Sequence, residues 1–309
     1  MAEPKYRLIT RADFDGVVCG ALFSELNMID DIVFAEPNDM QQGQGPVSSK
    51  DVSANLPYVE GIHQYFDHHR SELKRVGEKE NLIIDGDAPS AARVVYRHFG
   101  GKDGFPDISE ELLDAVDQAD SAQYSVEDIM APEKWTLLNL IIDPRTGMKK
   151  VDGFNIAHNA FLYDVMTYCR HTPIDEILQL PDVQELVNSL MYQREFAELQ
   201  LIRCSQTHDN LVVTDLRKED PVYVCGRFLI YALNPNCNIS MHLMAGSGEG
   251  MTRISVGKSI LDRTSKTDIG ALLLEYDGGG HEAAGGCRIE NDKLDEVVAE
   301  LIGRINTDG

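Results

Sequence analysis

Short apolar runs alternate with amphipathic patterns through the first 122 residues, and this alternation constrains the fold more than any other feature. "KYRLIT" (5–10), "DIVFAEP" (31–37), "VEGIHQYF" (59–66) and "NLIIDG" (81–86) have the length and apolar character of buried strands. Between and after them stand helical patterns. "GVVCGALFSELNMI" (16–29) is one. "PSAARVVYRHFG" (89–100) opens on Pro and closes on Gly, and "SEELLDAVDQADSA" (109–122) has Ser109 as its N-cap. Strands alternating with helices predict a parallel sheet covered by helices. From about 151 to 205 the pattern is helical, and 182–204 reads as one long helix. After it "DNLVVTDL", "PVYVCGRFLIYAL", "CNISMHLMA" and "TRISVGKSIL" read as consecutive strands. The sequence therefore predicts an α/β architecture. A parallel-sheet domain spans 1–180, a connecting helix 181–206, and a smaller α+β domain 207–309, with a cleft between the domains.

Charge narrows the partners. With 28 Lys and Arg against 51 Asp and Glu the net charge is −23. Long duplex nucleic acid is bound through phosphate neutralisation, which a surface this acidic opposes. Small phosphorylated substrates held in a pocket, and divalent cations, remain compatible with it. No run approaches the ~18 apolar residues of a membrane span. The start "MAEPKYRLIT" lacks a signal-type apolar region, and none of the six cysteines forms a C-x-x-C pair. A cytoplasmic protein with reduced thiols is the expectation.

Four stretches carry chemistry. "RADFDG" (11–16) places Asp13 and Asp15 after the first strand, where ligands bind in open parallel sheets. Each carboxylate fits either a helix cap or a hard cation. "FDHHRSE" (66–72) offers Asp67, His68 and His69 after another strand. On a loop the two imidazoles can converge, one on a metal and one on a phosphate, with the carboxylate orienting a histidine. A plain surface loop fits the same residues. "AVDQADSAQY" (115–124) puts Asp117 and Asp120 three apart near a helix C-terminus, where acids oppose the dipole. A cation or basic partner, or simple exposure, explains them. "YDGGGHEAAGG" (276–286) sets Gly278, Gly279 and Gly280 before His281. Such glycines serve backbone approach to an anion rather than packing, or form a flexible turn. "SVGKS" (255–259) is no P-loop, because Thr252 stands where that motif needs Gly. Lys258 and Arg263 are better read as separate phosphate contacts.

Taken in order over nearly the whole chain, D-x-D-G, DHH, the late Asp and GGGH resemble the DHH phosphoesterase superfamily with its glycine-rich C-terminal domain. The resemblance is to its nanoRNase/pAp phosphatase and exopolyphosphatase-related branch. It implies a metal-dependent phosphohydrolase or phosphodiesterase using two Mn²⁺ (or Mg²⁺, Co²⁺, Fe²⁺) and water attack on a short oligonucleotide, pAp, a nucleotide or a short polyphosphate. It implies Asp13 at the first ion, and Asp15, His68 and Asp120 at the second. His69 contacts the phosphate, and Gly278–Gly280, His281 and Ser90 meet the substrate. Homodimers occur among such proteins.

The chain departs from the family pattern at two positions. The first-motif His would fall at Ile9 or Arg11, and the bridging Asp aligns with Asn55, with Asp51 the nearest alternative. The first ion thus loses its imidazole and its bridging charge. One tightly held ion is the expectation, with Arg11 paired to Asp13 or gripping a phosphate. Asp13, Asp67, His69 and Arg11 are the expected catalytic groups, and Asp13, Asp15, Asn55, His68 and Asp120 the expected metal set. The competing reading is a non-catalytic nucleotide- or phosphate-binding protein with a degenerate metal site.

Overall fold

The computed structural model describes residues 5–45, 47–246, 248 and 250–309. The chain forms two compact units. One comprises the residues up to Gln123 with Pro132–Ser189, the other Tyr124–Ala131 with Leu190–Gly309. The division falls inside the long helix, and the short segment 124–131 packs with the second unit.

In the first unit β1 (Tyr6–Thr10), α1 (Phe14–Glu25), β2 (Ile29–Phe34), α2 (Pro37–Gln41), β3 (Asp51–Ala54), β4 (Gln64–Asp67), α3 (Arg70–Val76), β5 (Leu82–Ile84), α4 (Ala91–His98) and α5 (Glu110–Asp120) follow in order. All five strands run parallel in the order β2-β1-β3-β4-β5. The strand order reverses between β1 and β3, so the crevice beyond their carboxyl ends is the expected ligand position. Helix α1 is buried from Phe14 to Phe23, because it packs on the sheet and against helices on several sides. Its apolar run is therefore nearly continuous rather than a stripe. Gly16 permits this placement. A Cβ there would lie 2.0 Å from the Arg11 carbonyl oxygen.

After α6 (Val126–Met130), which belongs to the second unit, the first unit adds α7 (Lys134–Ile142), α8 (His158–His171) and α9 (Ile174–Ile177). Helix α10 (Pro181–Cys204) follows. No helix among the described residues is long and apolar enough to cross a membrane. All six cysteines are free thiols.

The second unit contains β6 (Ser205–His208), β7 (Leu211–Asp215), α11 (Leu229–Leu233), β8 (Ile239–Ala245), β9 (Met251–Lys258), α12 (Ile269–Leu274), β10 (Gly279–His281), β11 (Ala284–Glu290) and α13 (Leu294–Asp308). The sheet order is β10-β11-β9-β8-β7-β6, with only β7 and β8 parallel. One face buries Ile254, Val256, Cys287 and Ile289 against Leu272, Leu301 and Ile305 of α12 and α13. The other packs Val212 against Leu229, Ile230 and Tyr231. One expected strand is absent. "PVYVCGRFLIYAL" is irregular up to Phe228 and then forms helix α11. Its apolar residues serve the outer face of the sheet from a helix, a role that a short apolar run cannot distinguish from a strand.

Candidate metal centre

The two acids of "RADFDG" stand at the mouths of different helices. Asp13 is the N-cap of α1, and its Oδ1 accepts from the Gly16 amide at 3.0 Å. Asp15 reaches across to α4. Its Oδ2 accepts from the Ala91 amide at 2.9 Å and its Oδ1 from the Ala92 amide at 2.8 Å. A carboxylate at a helix N-terminus is favoured by the free amides and the dipole. Oδ2 keeps a lone pair for a further partner, while Oδ1 also meets the Cys19 thiol at 3.9 Å. Both acids are almost fully buried.

Asp15, His68 and Asp120 form one group, their ligand atoms all within 4.8 Å of one another. They come from the first turn of α1, the segment after β4 and the last residue of α5. His68 Nδ1 lies 3.3 Å from the Ala88 carbonyl oxygen, which fixes a proton on Nδ1 and leaves the Nε2 lone pair inward. His68 Nε2 stands 2.9 Å from Asp120 Oδ2 as an ion pair. It is buried with no hydrogen-bond partner. A buried imidazole nitrogen facing two carboxylates without a bonded partner is the donor set a divalent cation takes. The residues fit the ion.

Electrostatics point the same way. Burial raises the Asp15 carboxyl, and Asp120 and Asp13 raise it further. Burial also raises Asp13, against the opposing pull of Arg11. Burial would lower His68, but Asp120 and Asp15 raise it on balance. The cluster is short of positive charge.

Asp13 and Asn55 do not join that group. The Asn55 amide donates to Asp13 Oδ1 at 3.1 Å, and Arg11 Nε stands 3.1 Å from Asp13 Oδ2. Guanidinium and amide thus stand around the carboxylate that the sequence reading assigns to a first ion. Arg145, just after α7, adds a second guanidinium near it. It pairs with Asp143 at 2.7 Å. Burial opposes its charge, but Asp143, Asp13 and Asp120 raise its pKa. Arg145 lies in a turn, "DPRTG", with no motif around it, and nothing local in the sequence marks it. Asp51 is committed elsewhere, held by Arg7 and by Ser48 at the start of β3.

In the DHH segment, Asp67 serves His69 rather than His68. Its Oδ1 meets His69 Nδ1 at 2.8 Å, and its Oδ2 accepts from the Tyr65 hydroxyl at 2.7 Å. Asp67 raises the His69 pKa, favouring an imidazolium with Nε2–H free to meet an anion. Tyr65 is two residues before Asp67 on one strand, a same-face spacing that sequence periodicity offers.

Ser90 is fully buried, which corrects its expected place against substrate. Its hydroxyl caps α4 through the Arg93 amide and donates to Asp117 Oδ1 at 2.6 Å. Asp117 also accepts from Arg93 at 2.7 Å. Ser90 and Asp117 therefore hold the α4 N-terminus behind Asp15.

In the second unit, two of the three glycines do serve packing, against the sequence reading. A Cβ on Gly278 would stand 2.5 Å from the Gly286 carbonyl oxygen, and one on Gly280 2.3 Å from that of Ala284. Gly280 also has φ of 156°, which L side chains rarely adopt. Gly279 meets nothing within 4 Å. Gly280→Ala should lower unit stability by about 2 kcal/mol or more, while Gly279→Ala leaves it unchanged. Thermal unfolding of the two variants checks this. His281 is exposed, and beside it Lys258 Nζ lies 3.2 Å from Glu282. Arg263 is exposed, its Nε donating to the Ile260 carbonyl at 3.3 Å.

A parallel sheet with D-x-D-G and DHH at the ends of its strands, followed by a GGGH sheet domain, defines a DHH-type phosphoesterase. The chain is 45% identical to PggH, a pGpG-specific phosphodiesterase of Vibrio cholerae. The match covers 99% of this chain and 100% of that one, with a TM-score of 0.90. RecJ of Thermus thermophilus in complex with Mn²⁺ shares the fold at 12% identity and a TM-score of 0.54, covering 99% of this chain and 52% of that one. CDC45 of Entamoeba histolytica shares it at 10% identity and 0.55, covering 98% and 95%. No family model and no curated protein matches the sequence. The chain belongs to the DHH phosphoesterase superfamily, and it is a hydrolase of phosphoester bonds.

Proposed function

We propose that the chain hydrolyses the internucleotide phosphodiester of a short 5′-phosphorylated oligonucleotide of the pGpG kind, with one tightly held divalent cation, Mn²⁺ foremost. The observation that carries this reading is the Asp15–His68–Asp120 group with its unbonded, buried imidazole nitrogen. The substrate class follows from the Vibrio cholerae relative. Residues 1–180 then supply catalysis and residues 207–309 substrate binding. The reaction proceeds in the cytoplasm, where the thiols stay reduced.

Asp15, His68 and Asp120 would hold the cation. Such an ion acts as a Lewis acid on phosphoryl oxygens and activates the attacking water. The chain's own residues do the rest. Asp67 holds His69 so that Nε2–H donates to a phosphoryl oxygen as charge builds there. Arg11 and Arg145 stand on the side of Asp13, where a second cation would otherwise neutralise the phosphate. In the overall step water oxygen bonds phosphorus, the P–O3′ bond breaks and the leaving 3′ oxygen takes a proton, giving two mononucleotides from pGpG.

A hydrolysis screen tests this. It uses pGpG, pAp, dinucleotides lacking the 5′-phosphate and short polyphosphate, each with Mn²⁺, Mg²⁺, Co²⁺ or Fe²⁺. Metal-dependent turnover of pGpG, lost in Asp15→Ala, is expected. Tight pGpG binding without turnover under any ion would establish the sensor reading instead.

A further inference from the structure

Helix α5 carries a stripe of acids. Glu110, Asp114, Asp117 and Asp120 recur at helical spacing along one side of it. Like charges so placed repel, and the last two also oppose the helix dipole. One guanidinium answers the first three. Arg93 of α4 lies 3.7 Å from Glu110, 3.0 Å from Asp114 and 2.6 Å from Asp117. The Glu110 and Asp114 side chains are 53% and 78% exposed, so solvent screens those pairs. Arg93 and Asp117 are only 13% and 16% exposed, and theirs is the pair that can hold two helices together. Asp120, next along the stripe, faces His68 and Asp15 instead.

Asp117 joins the first turn of α4 to the last turn of α5. Its Oδ1 accepts from the Ser90 hydroxyl at 2.6 Å and its Oδ2 from Arg93 Nε at 2.7 Å. The Ser90 oxygen in turn accepts from the Arg93 amide at 3.0 Å. The Asp117 carbonyl accepts from the Ser121 amide at 3.1 Å and from its hydroxyl at 2.5 Å, which closes α5 just past Asp120. Both turns serve the metal centre. The first carries the Ala91 and Ala92 amides that grip Asp15, and the last carries Asp120. The two acids push each other apart. Burial raises the Asp15 carboxyl, and the Asp120 charge raises it further. The contact through Ser90, Asp117 and Arg93 works against that repulsion.

We infer that Arg93 and Asp117 are positioning residues of the metal centre: through Ser90 and the α4 amides they fix the separation of Asp15 and Asp120, and so set the affinity for the cation. The inference rests on Asp15, His68 and Asp120 being the cation site proposed above. Neither Arg93 nor Asp117 belongs to that group of ligand atoms. Position and charge make opposite demands on Arg93. By charge alone, its removal takes away a repelling cation and strengthens Mn²⁺ binding, whereas removal of Asp117 weakens it. By position, both removals weaken binding.

Full-length wild type, Arg93→Gln, Arg93→Lys, Asp117→Asn and Tyr96→Phe are titrated calorimetrically with Mn²⁺, each well below its Tm in chelator. Tyr96→Phe is the stability control. It removes the 2.6 Å hydrogen bond from Tyr96 to Glu110, which joins the same two helices away from Asp117. Arg93→Gln and Asp117→Asn should each weaken Mn²⁺ binding about 10–100-fold, while Tyr96→Phe lowers Tm and keeps native affinity. Arg93→Lys keeps the charge and loses the planar fork, so it should weaken binding about tenfold where charge alone predicts no change. It also serves if Arg93→Gln does not fold. Tighter binding in Arg93→Gln, or native affinity in the Arg93 and Asp117 variants, overturns the positioning role. Equal weakening in Tyr96→Phe reduces the effect to general stability and overturns it too. Wild type that binds no Mn²⁺ removes the cation site itself and the inference with it, a failure seen without any variant.

Discussion

Asp120→Asn should weaken Mn²⁺ binding more than about 100-fold and lower kcat by about 10³-fold, close to 4 kcal/mol of activation free energy. Asp120 closes α5, and its side chain touches only His68 of the cluster. It holds no helix end and no backbone amide. The substitution therefore removes a cation ligand and, without metal, one ion pair with His68, but no backbone contact. Asp15→Ala should remove the same activity by a different route. Asp15 also accepts from the Ala91 and Ala92 amides, both buried at the mouth of α4. Leaving two buried amides unpaired costs about 1–3 kcal/mol each. Calorimetric Mn²⁺ titration, turnover and unfolding in chelator separate the two variants. Both lose the ion, and when metal-free Asp15→Ala loses more Tm than Asp120→Asn, because it strips two buried amides as well. Native Mn²⁺ affinity in Asp120→Asn would remove Asp120 from the ligand set.

That contrast shows what the sequence could and could not carry. The strand–helix alternation was legible at four of the five parallel strands, punctuated by Gly, Pro or a polar cap, but β3 (Asp51–Ala54) was not read as one of them. The long helix was legible too. The positions of Asp15, His68 and Asp120 at the ends of elements were legible from the motifs. That Asp15 caps α4 was not, because 76 residues separate it from Ala91 and no local pattern records a long-range hydrogen bond. Ser90 failed for a related reason. A small hydroxyl at a helix start serves a cap and a substrate equally well in sequence, and only burial decides. Arg145 lies where sequence offers no motif at all. The glycines of "YDGGGH" were misread because close backbone approach between β10 and β11 needs a register, and register is a property of paired strands.

If one ion is bound, Asn55→Asp should create a second site for a cation beside Asp13. Asn55 follows β3 in a left-handed conformation, φ 58°, which Asp also tolerates, so the backbone need not move. Its amide donates to Asp13 Oδ1 at 3.1 Å. A carboxylate there cannot donate, and two buried carboxylates at that distance cannot both stay ionised. In chelator the variant should lose on the order of 3 kcal/mol, seen as a lower Tm. Mn²⁺ should restore stability, and the titration should rise from one tight ion in wild type to two. Two tight, equivalent ions in wild type would instead show that Arg11 and Asn55 never displaced the first. Asp13 has a reason to persist with one ion, because it caps α1 through the Gly16 amide whatever binds beside it. The amide of Asn55 donates to Asp13 Oδ1 and the guanidinium of Arg11 pairs with Oδ2, and on the one-ion reading the same two groups stand in for a second cation.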